Sequence, residues 1–86
     1  MGNFKILFLD VDDAALIEVS SNIDSRGSFS RFFCDQELNQ LLKGSQIVNI
    51  NHSYSTKKGT LRGMHFQKFP YQEKKFVRCI GGRIYD

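Results

Sequence analysis

Eighty-six residues, 41% of them apolar and 24% charged, suit one small globular domain and exclude a disordered chain. No apolar run approaches the roughly 20 residues of a membrane helix, and the one at residues 6–9 is too short for a signal-peptide core. The net charge of +3 is uneven: residues 1–43 carry four Lys/Arg against seven acids, or −3, and residues 44–86 carry eight against two, or +6. Such a basic half suits either a solvated surface or an anionic ligand.

Residues 4–9 read as a first strand. Asp10, Asp12 and Asp13 follow as an acidic turn; it lacks the Gly and distal Glu of a calcium loop, so a plain turn is preferred. Residues 14–20 form a second strand, alternating from Leu16 through Glu18. Ser21 and Asn22 signal a loop, and residues 24–28 a polar turn in which Gly27 is free to take positive φ. Phe29, Arg31 and Phe33 alternate with Ser30 and Phe32 as a short aromatic strand.

Residues 35–43 make the only good helix. Asp35 is its expected N-cap, Glu37 lies in the first turn, and Leu38, Leu41 and Leu42 form one apolar stripe. Lys43 suits the C-terminal end and Gly44 the position just past it. A helix of about nine residues must dock to persist.

Residues 45–54 read as the next strand, with Ile47, Val48 and Ile50 interleaved with Asn49, Asn51 and His52. A turn at 55–59, a strand at 60–67 and a loop at 68–73 around Pro70 follow. Residues 74–80 are a strand, Gly81-Gly82 a primed hairpin turn, and residues 83–86 the return strand. About seven short strands with one small helix are expected to close into a barrel or sandwich that hides its edges. The last hairpin leaves an edge open, so the chain is expected to be the N-terminal part of a longer β domain.

The stretch Gly59-Thr60-Leu61-Arg62-Gly63-Met64-His65-Phe66-Gln67 carries the chemistry. On an ideal strand Leu61, Gly63, His65 and Gln67 face one way, and Arg62, Met64 and Phe66 the other. Neither face is cleanly apolar, so one is expected to line a cavity. Histidine is suited to proton transfer near neutral pH, although on a strand it is more often structural. Here it has company: Arg62 three residues before, Lys75 on the next strand, and Asn49, Asn51 and His52 on the strand before. Fixed positive charge beside amides suits an anionic ligand or a developing oxyanion.

A metal is the rival occupant, since His52, His65 and Gln67 could converge. Glutamine is a poor ligand and no third His, Cys or carboxylate completes a set, so neither metal nor cofactor is expected. Cys34 and Cys79 lack CxxC spacing and are expected to be free thiols in a reducing cytoplasm. The basic half with Phe66, Phe69, Tyr71 and Phe76 could also belong to a nucleic-acid-binding barrel. Phe66, Phe69 and Phe76 are more simply core or dimer contacts, so neither a nucleic-acid nor a membrane partner is expected.

Five segments together resemble the dTDP-4-dehydrorhamnose 3,5-epimerase family. They are Asp24-Ser25-Arg26-Gly27-Ser28-Phe29, Asn49-Ile50-Asn51-His52-Ser53, the stretch 59–67, Lys75-Phe76-Val77-Arg78, and Gly82-Arg83-Ile84-Tyr85-Asp86. The LRGxHxQ stretch with the downstream KxVR is the specific part. The resemblance covers nearly all of this chain but about the first half of a family member. It implies a mostly β fold, a partial cupin-type jelly roll with the one short helix, and residues 1–86 as the N-terminal part of a single cupin-like epimerase domain. It also implies a homodimer when full length, a dTDP-linked 4-keto-6-deoxy sugar as substrate, and no metal.

By the same resemblance His65 matches the family's proton-abstracting histidine and Lys75 the lysine near the sugar's C4 oxygen. Arg26 and Arg62 match arginines that hold the substrate, and Asn51 an amide of the substrate-contact segment. The family's returning acid, a tyrosine, and the aspartate that orients the histidine come from its second half. Three positions depart. Arg31 stands where the family has a substrate-contacting glutamate, Asn49 replaces the usual glutamine in the binding segment, and Ile50 the usual aspartate. These leave open a 3- or 5-specific epimerase of the same fold, while the tyrosine and aspartate not found in these residues leave open a non-catalytic sugar-nucleotide-binding fragment.

Overall fold

The computed structural model describes residues 3–86, and the chain divides at Val48/Asn49 into two units. All regular structure lies in the first. Strand β1 (Phe4–Phe8) pairs antiparallel with β2 (Ala15–Val19), and β3 (Ser21–Asp24) with β4 (Gly27–Ser30). One short helix, α1 (Asn39–Leu42), follows. This is the mostly β class with one helix expected of a partial cupin-type domain.

The β1–β2 register follows from side-chain alternation. Phe4 faces Val19 and Ile6 faces Ile17 on one side, while Lys5 faces Glu18 and Leu7 faces Leu16 on the other. Phe4, Ile6, Ala15, Ile17 and Val19 are half-buried, whereas Lys5, Leu16 and Glu18 are exposed. A one-residue slip would turn Ile6 and Ile17 outward, so burial specifies the pairing. The acidic turn closes the hairpin as expected. Leu9 N–H donates to the Ala14 carbonyl at 3.1 Å and Ala14 N–H to that of Val11 at 3.2 Å. Asp13 takes φ 62°, a left-handed conformation that aspartate tolerates.

The second hairpin corrects two expectations. Ser21 and Asn22 lie in β3 rather than in a loop, and the turn is only Ser25-Arg26. The aromatic strand expected over residues 29–33 instead starts at Gly27 and ends at Ser30. Ser, Asn and Asp disfavour strands intrinsically, yet here the ladder pairs Asn22 with Phe29 and Asp24 with Gly27. Gly27 takes the expected positive φ, +135°.

The helix is shorter than residues 35–43. Residues 35–38 form a turn, Leu38 is the N-cap, and no side chain caps it, so Asp35 does not serve as cap. The reason is local: Leu38 N–H is already bonded to the Cys34 carbonyl at 3.0 Å as the turn winds in. Leu38 and Leu42 are the buried apolar residues of the described chain, 1% and 4% exposed, so the expected stripe does form. Lys43 at φ 50° and Gly44 at φ 84° stop the helix.

Glu37, expected to serve the helix dipole, reaches elsewhere. Its carboxylate accepts from Asn3 N–H at 2.7 Å, Asn3 Nδ2 at 3.1 Å and Arg31 Nη1 at 3.4 Å, joining the residue before β1 to the helical turn. The Asn3 backbone N–H, then its side chain, hold the Glu37 carboxyl below its ordinary pKa; Cys34 and Arg31 assist.

Residues 49–86 carry turns but no ladder, and all of them are exposed. The turn at 55–59 forms, with Thr60 Oγ1 donating to the Lys57 carbonyl at 2.7 Å. The loop around Pro70 forms too, with Tyr71 N–H on the Lys68 carbonyl at 2.8 Å. The strands expected at 45–54, 60–67, 74–80 and 83–86 do not form among the described residues. Strand hydrogen bonds are all inter-strand, and the ladders among the described residues are those of β1–β2 and β3–β4. Nor is Gly81-Gly82 a primed turn. Only Gly82 takes positive φ, +81°, whereas primed turns require it at the first central residue.

Candidate functional site

Gly63 interrupts the stretch 59–67. Its φ of +87° breaks the strand alternation, so the opposed faces of an ideal strand do not apply here. A Cβ at Gly63 would lie 3.2 Å from His65 Nδ1 and 3.3 Å from His65 N. The missing side chain therefore makes room for the His65 imidazole and its backbone.

His65 and Lys75 are brought together. Lys75 Nζ donates to the backbone carbonyl of His65 at 3.0 Å across ten residues. The same ammonium lies 3.5 Å from Glu73 Oε1, both side chains being 45% exposed. An imidazole and an ammonium are thus carried on one short stretch of backbone.

Arg62 is turned toward the preceding segment. Its Nε donates to Ser55 Oγ at 3.0 Å and its Nη2 to the Tyr54 carbonyl at 3.0 Å. Two anchors fix the guanidinium plane and leave Nη1 and one Nη2 hydrogen for a ligand. Asn49 and Asn51 are exposed, in the same unit, with no regular structure around them.

Arg26 belongs to the other unit, on the β3–β4 turn. Its Nη2 and Nε reach Asp24 Oδ2 at 2.6 and 3.2 Å, and its backbone N–H reaches Asp24 Oδ1 at 2.9 Å. The Arg26 side chain, then its backbone N–H, hold the Asp24 carboxyl below its ordinary pKa. An open groove of about 280 Å³ is lined by Asp24, Arg26, Gly27, Ser28 and Phe29. Arg31, which stands where the family resemblance would place a glutamate, pairs with Glu37 at 3.4 Å.

Sequence reasoning missed Ser55, Glu37 and Glu73. Ser55 lies seven residues before Arg62, across a turn, and no local pattern links them. Glu37 meets a residue 34 positions away, beyond any periodic signal. Glu73 was visible, being one of two acids in the basic half and two residues from Lys75. No group of three or more His, Cys, Asp or Glu among the described residues is arranged to hold a metal ion. No helix among them is long and apolar enough to cross a membrane.

Comparison with known proteins bears on these residues. A family model described as dTDP-4-dehydrorhamnose 3,5-epimerase matches residues 9–86. A dTDP-4-dehydrorhamnose 3,5-epimerase of Shigella flexneri is 34% identical over 83 residues, 95% of this chain and 45% of the relative. Its namesake in Sinorhizobium fredii is 35% identical over 78 residues, 91% of this chain and 40% of the relative. That of Methanothermobacter thermautotrophicus is 35% identical over 86 residues, all of this chain and 45% of the relative. No solved structure matches. The chain spans less than half the length of these curated relatives, and the family match, residues 9–86, takes in residues of both units. On the strength of that match, the chain belongs to the dTDP-4-dehydrorhamnose 3,5-epimerase family.

Proposed function

We propose that the protein carrying this chain epimerises a dTDP-linked 4-keto-6-deoxy hexose, in deoxysugar biosynthesis of the dTDP-rhamnose type. Residues 1–86 form the N-terminal part of its single cupin-like domain, and the full-length protein works as a cytoplasmic homodimer. The relatives' shared name supports the reaction class. The observation that carries the residue roles is the Lys75 ammonium held on the His65 carbonyl at 3.0 Å.

The chemistry follows from the residue types. A C4 ketone acidifies the hydrogens on C3 and C5. His65 takes one as a proton, and the C–H electron pair moves into the ketone to give an enolate. Lys75 stabilises the developing negative charge on the C4 oxygen. Return of a proton from the opposite face inverts the carbon, so no atom is gained or lost. Arg62 and Arg26 hold the substrate's anionic groups, and Asn49 and Asn51 its hydroxyl and carbonyl groups.

The test is exchange of solvent deuterium into C3 and C5 of a dTDP-4-keto-6-deoxy hexose by the full-length protein, followed by proton NMR. Loss of both signals supports the 3,5-epimerase reading, and loss of one supports a single-centre epimerase. Exchange that persists in His65→Ala would remove His65 from its role. Tight dTDP binding without any exchange would favour a non-catalytic sugar-nucleotide-binding protein.

A further inference from the structure

We infer that Glu73 is a positioning residue for Lys75, orienting its ammonium toward the C4 oxygen; this rests on the epimerase reading above. Residues 44–86 hold only two acids, Glu73 and Asp86, among eight Lys/Arg. A carboxylate in that half works against an anionic ligand at long range. Yet Glu73 sits against the ammonium that also meets the His65 carbonyl.

Stability does not account for the pair. Both partners are nearly half exposed, and exposed ion pairs add little to stability. Geometry does. A lysine head group on four rotatable bonds has no orientation of its own, but it is tetrahedral with three donors. One hydrogen goes to the His65 carbonyl, and Glu73 draws a second side of the ammonium. The third hydrogen is then directed by the other two contacts. Because one anchor is His65's own backbone, that direction is set relative to the base. Orientation of this kind is worth most in the transition state, where charge develops on the C4 oxygen.

The test compares Glu73→Ala, Glu73→Gln and Lys75→Ala, and the double variant Glu73→Ala/Lys75→Ala, in the full-length protein. Glu73→Ala is expected to slow deuterium exchange about tenfold with dTDP affinity unchanged. Glu73→Gln, which keeps an acceptor oxygen, is expected to recover part of the loss. Adding Glu73→Ala to Lys75→Ala is expected to cost nothing further, because the effect passes through the ammonium. An equal loss in both backgrounds overturns the inference, as does exchange in Glu73→Ala that matches the parent.

Lysine-selective nitrogen NMR reads the contact without substrate. A Lys75 ammonium signal slowed by its anchors is expected in the parent and lost in Glu73→Ala; a signal indifferent to Glu73 overturns the inference. A parent that exchanges no deuterium while keeping that signal overturns the epimerase reading instead, and with it the catalytic value of the contact.

Discussion

Lys75 meets His65 at its backbone carbonyl, 3.0 Å from Nζ, and not at its imidazole. The contact therefore survives replacement of the His65 side chain, so the two groups can be removed independently. His65→Ala takes away the proposed base and leaves the ammonium held. Exchange of deuterium into the sugar is expected to fall at least about 100-fold, with dTDP affinity unchanged by calorimetry. A comparable loss of dTDP affinity would mean that His65 binds rather than reacts.

Gly63 is the second point of control over His65. Its φ of +87° disfavours any Cβ, and that Cβ would press on His65 Nδ1 at 3.2 Å and His65 N at 3.3 Å. Gly63→Ala is expected to displace the imidazole and slow exchange about tenfold or more, while the histidine remains present. Proton NMR of the imidazole checks the displacement directly. An unmoved resonance with full exchange would contradict it.

Arg62 is held by two acceptors at once, its Nε donating to Ser55 Oγ and its Nη2 to the Tyr54 carbonyl. A lysine cannot make both contacts from a planar fork. Arg62→Lys is expected to weaken dTDP binding about tenfold despite the retained charge. Ser55→Ala, which removes one anchor, is expected to weaken it less. Calorimetric titration with dTDP separates the two; equal affinities for Arg62→Lys and the parent would mean that charge alone matters.

The Glu37 clasp predicts an acid-sensitive fold. Hydrogen bonds from Asn3 hold the Glu37 carboxyl below its ordinary value of 4.5. Between the lowered folded value and the ordinary unfolded one, the unfolded chain binds more protons, so stability rises with pH. The contribution is complete above about pH 4.5 and is lost as pH falls through the lowered folded value. Glu37→Gln is expected to melt below the parent at neutral pH, the gap closing in acid. Melting curves from about pH 7 to about pH 3 check this; a gap independent of pH would detach the clasp from Glu37's charge.

The elements legible in the chain are those that local pattern specifies. Ile6 and Ile17 alternate with Lys5 and Glu18, and three aspartates separate the runs, so β1, its turn and β2 could be read directly. The Leu38–Leu42 stripe marked the helix and Gly44 its end. β3 was illegible because Ser21, Asn22 and Asp24 favour turns, and only pairing with residues 27–30 makes them a strand. The missing cap at Asp35 had the same origin: the Leu38 N–H that Asp35 would cap is taken by the Cys34 carbonyl, a contact invisible in residue preferences.

For the candidate site, residue identities and spacing alone nominated the side chains on which the proposal rests: His65, Lys75, Arg62, Arg26, Asn49 and Asn51 all stand within segments that carry the family resemblance. Chemistry-bearing side chains in a fixed order survive as a pattern whatever the backbone does. Tertiary structure alone decided how they are held. Positive φ at Gly63 replaced the ideal strand's two faces, Ser55 and Tyr54 took up Arg62, and Lys75 came to the His65 carbonyl with Glu73 beside it. Those contacts depend on backbone direction and on partners ten or fewer residues away across irregular turns. Neither is encoded in a periodicity of 2 or 3.6, which is all that local pattern can carry.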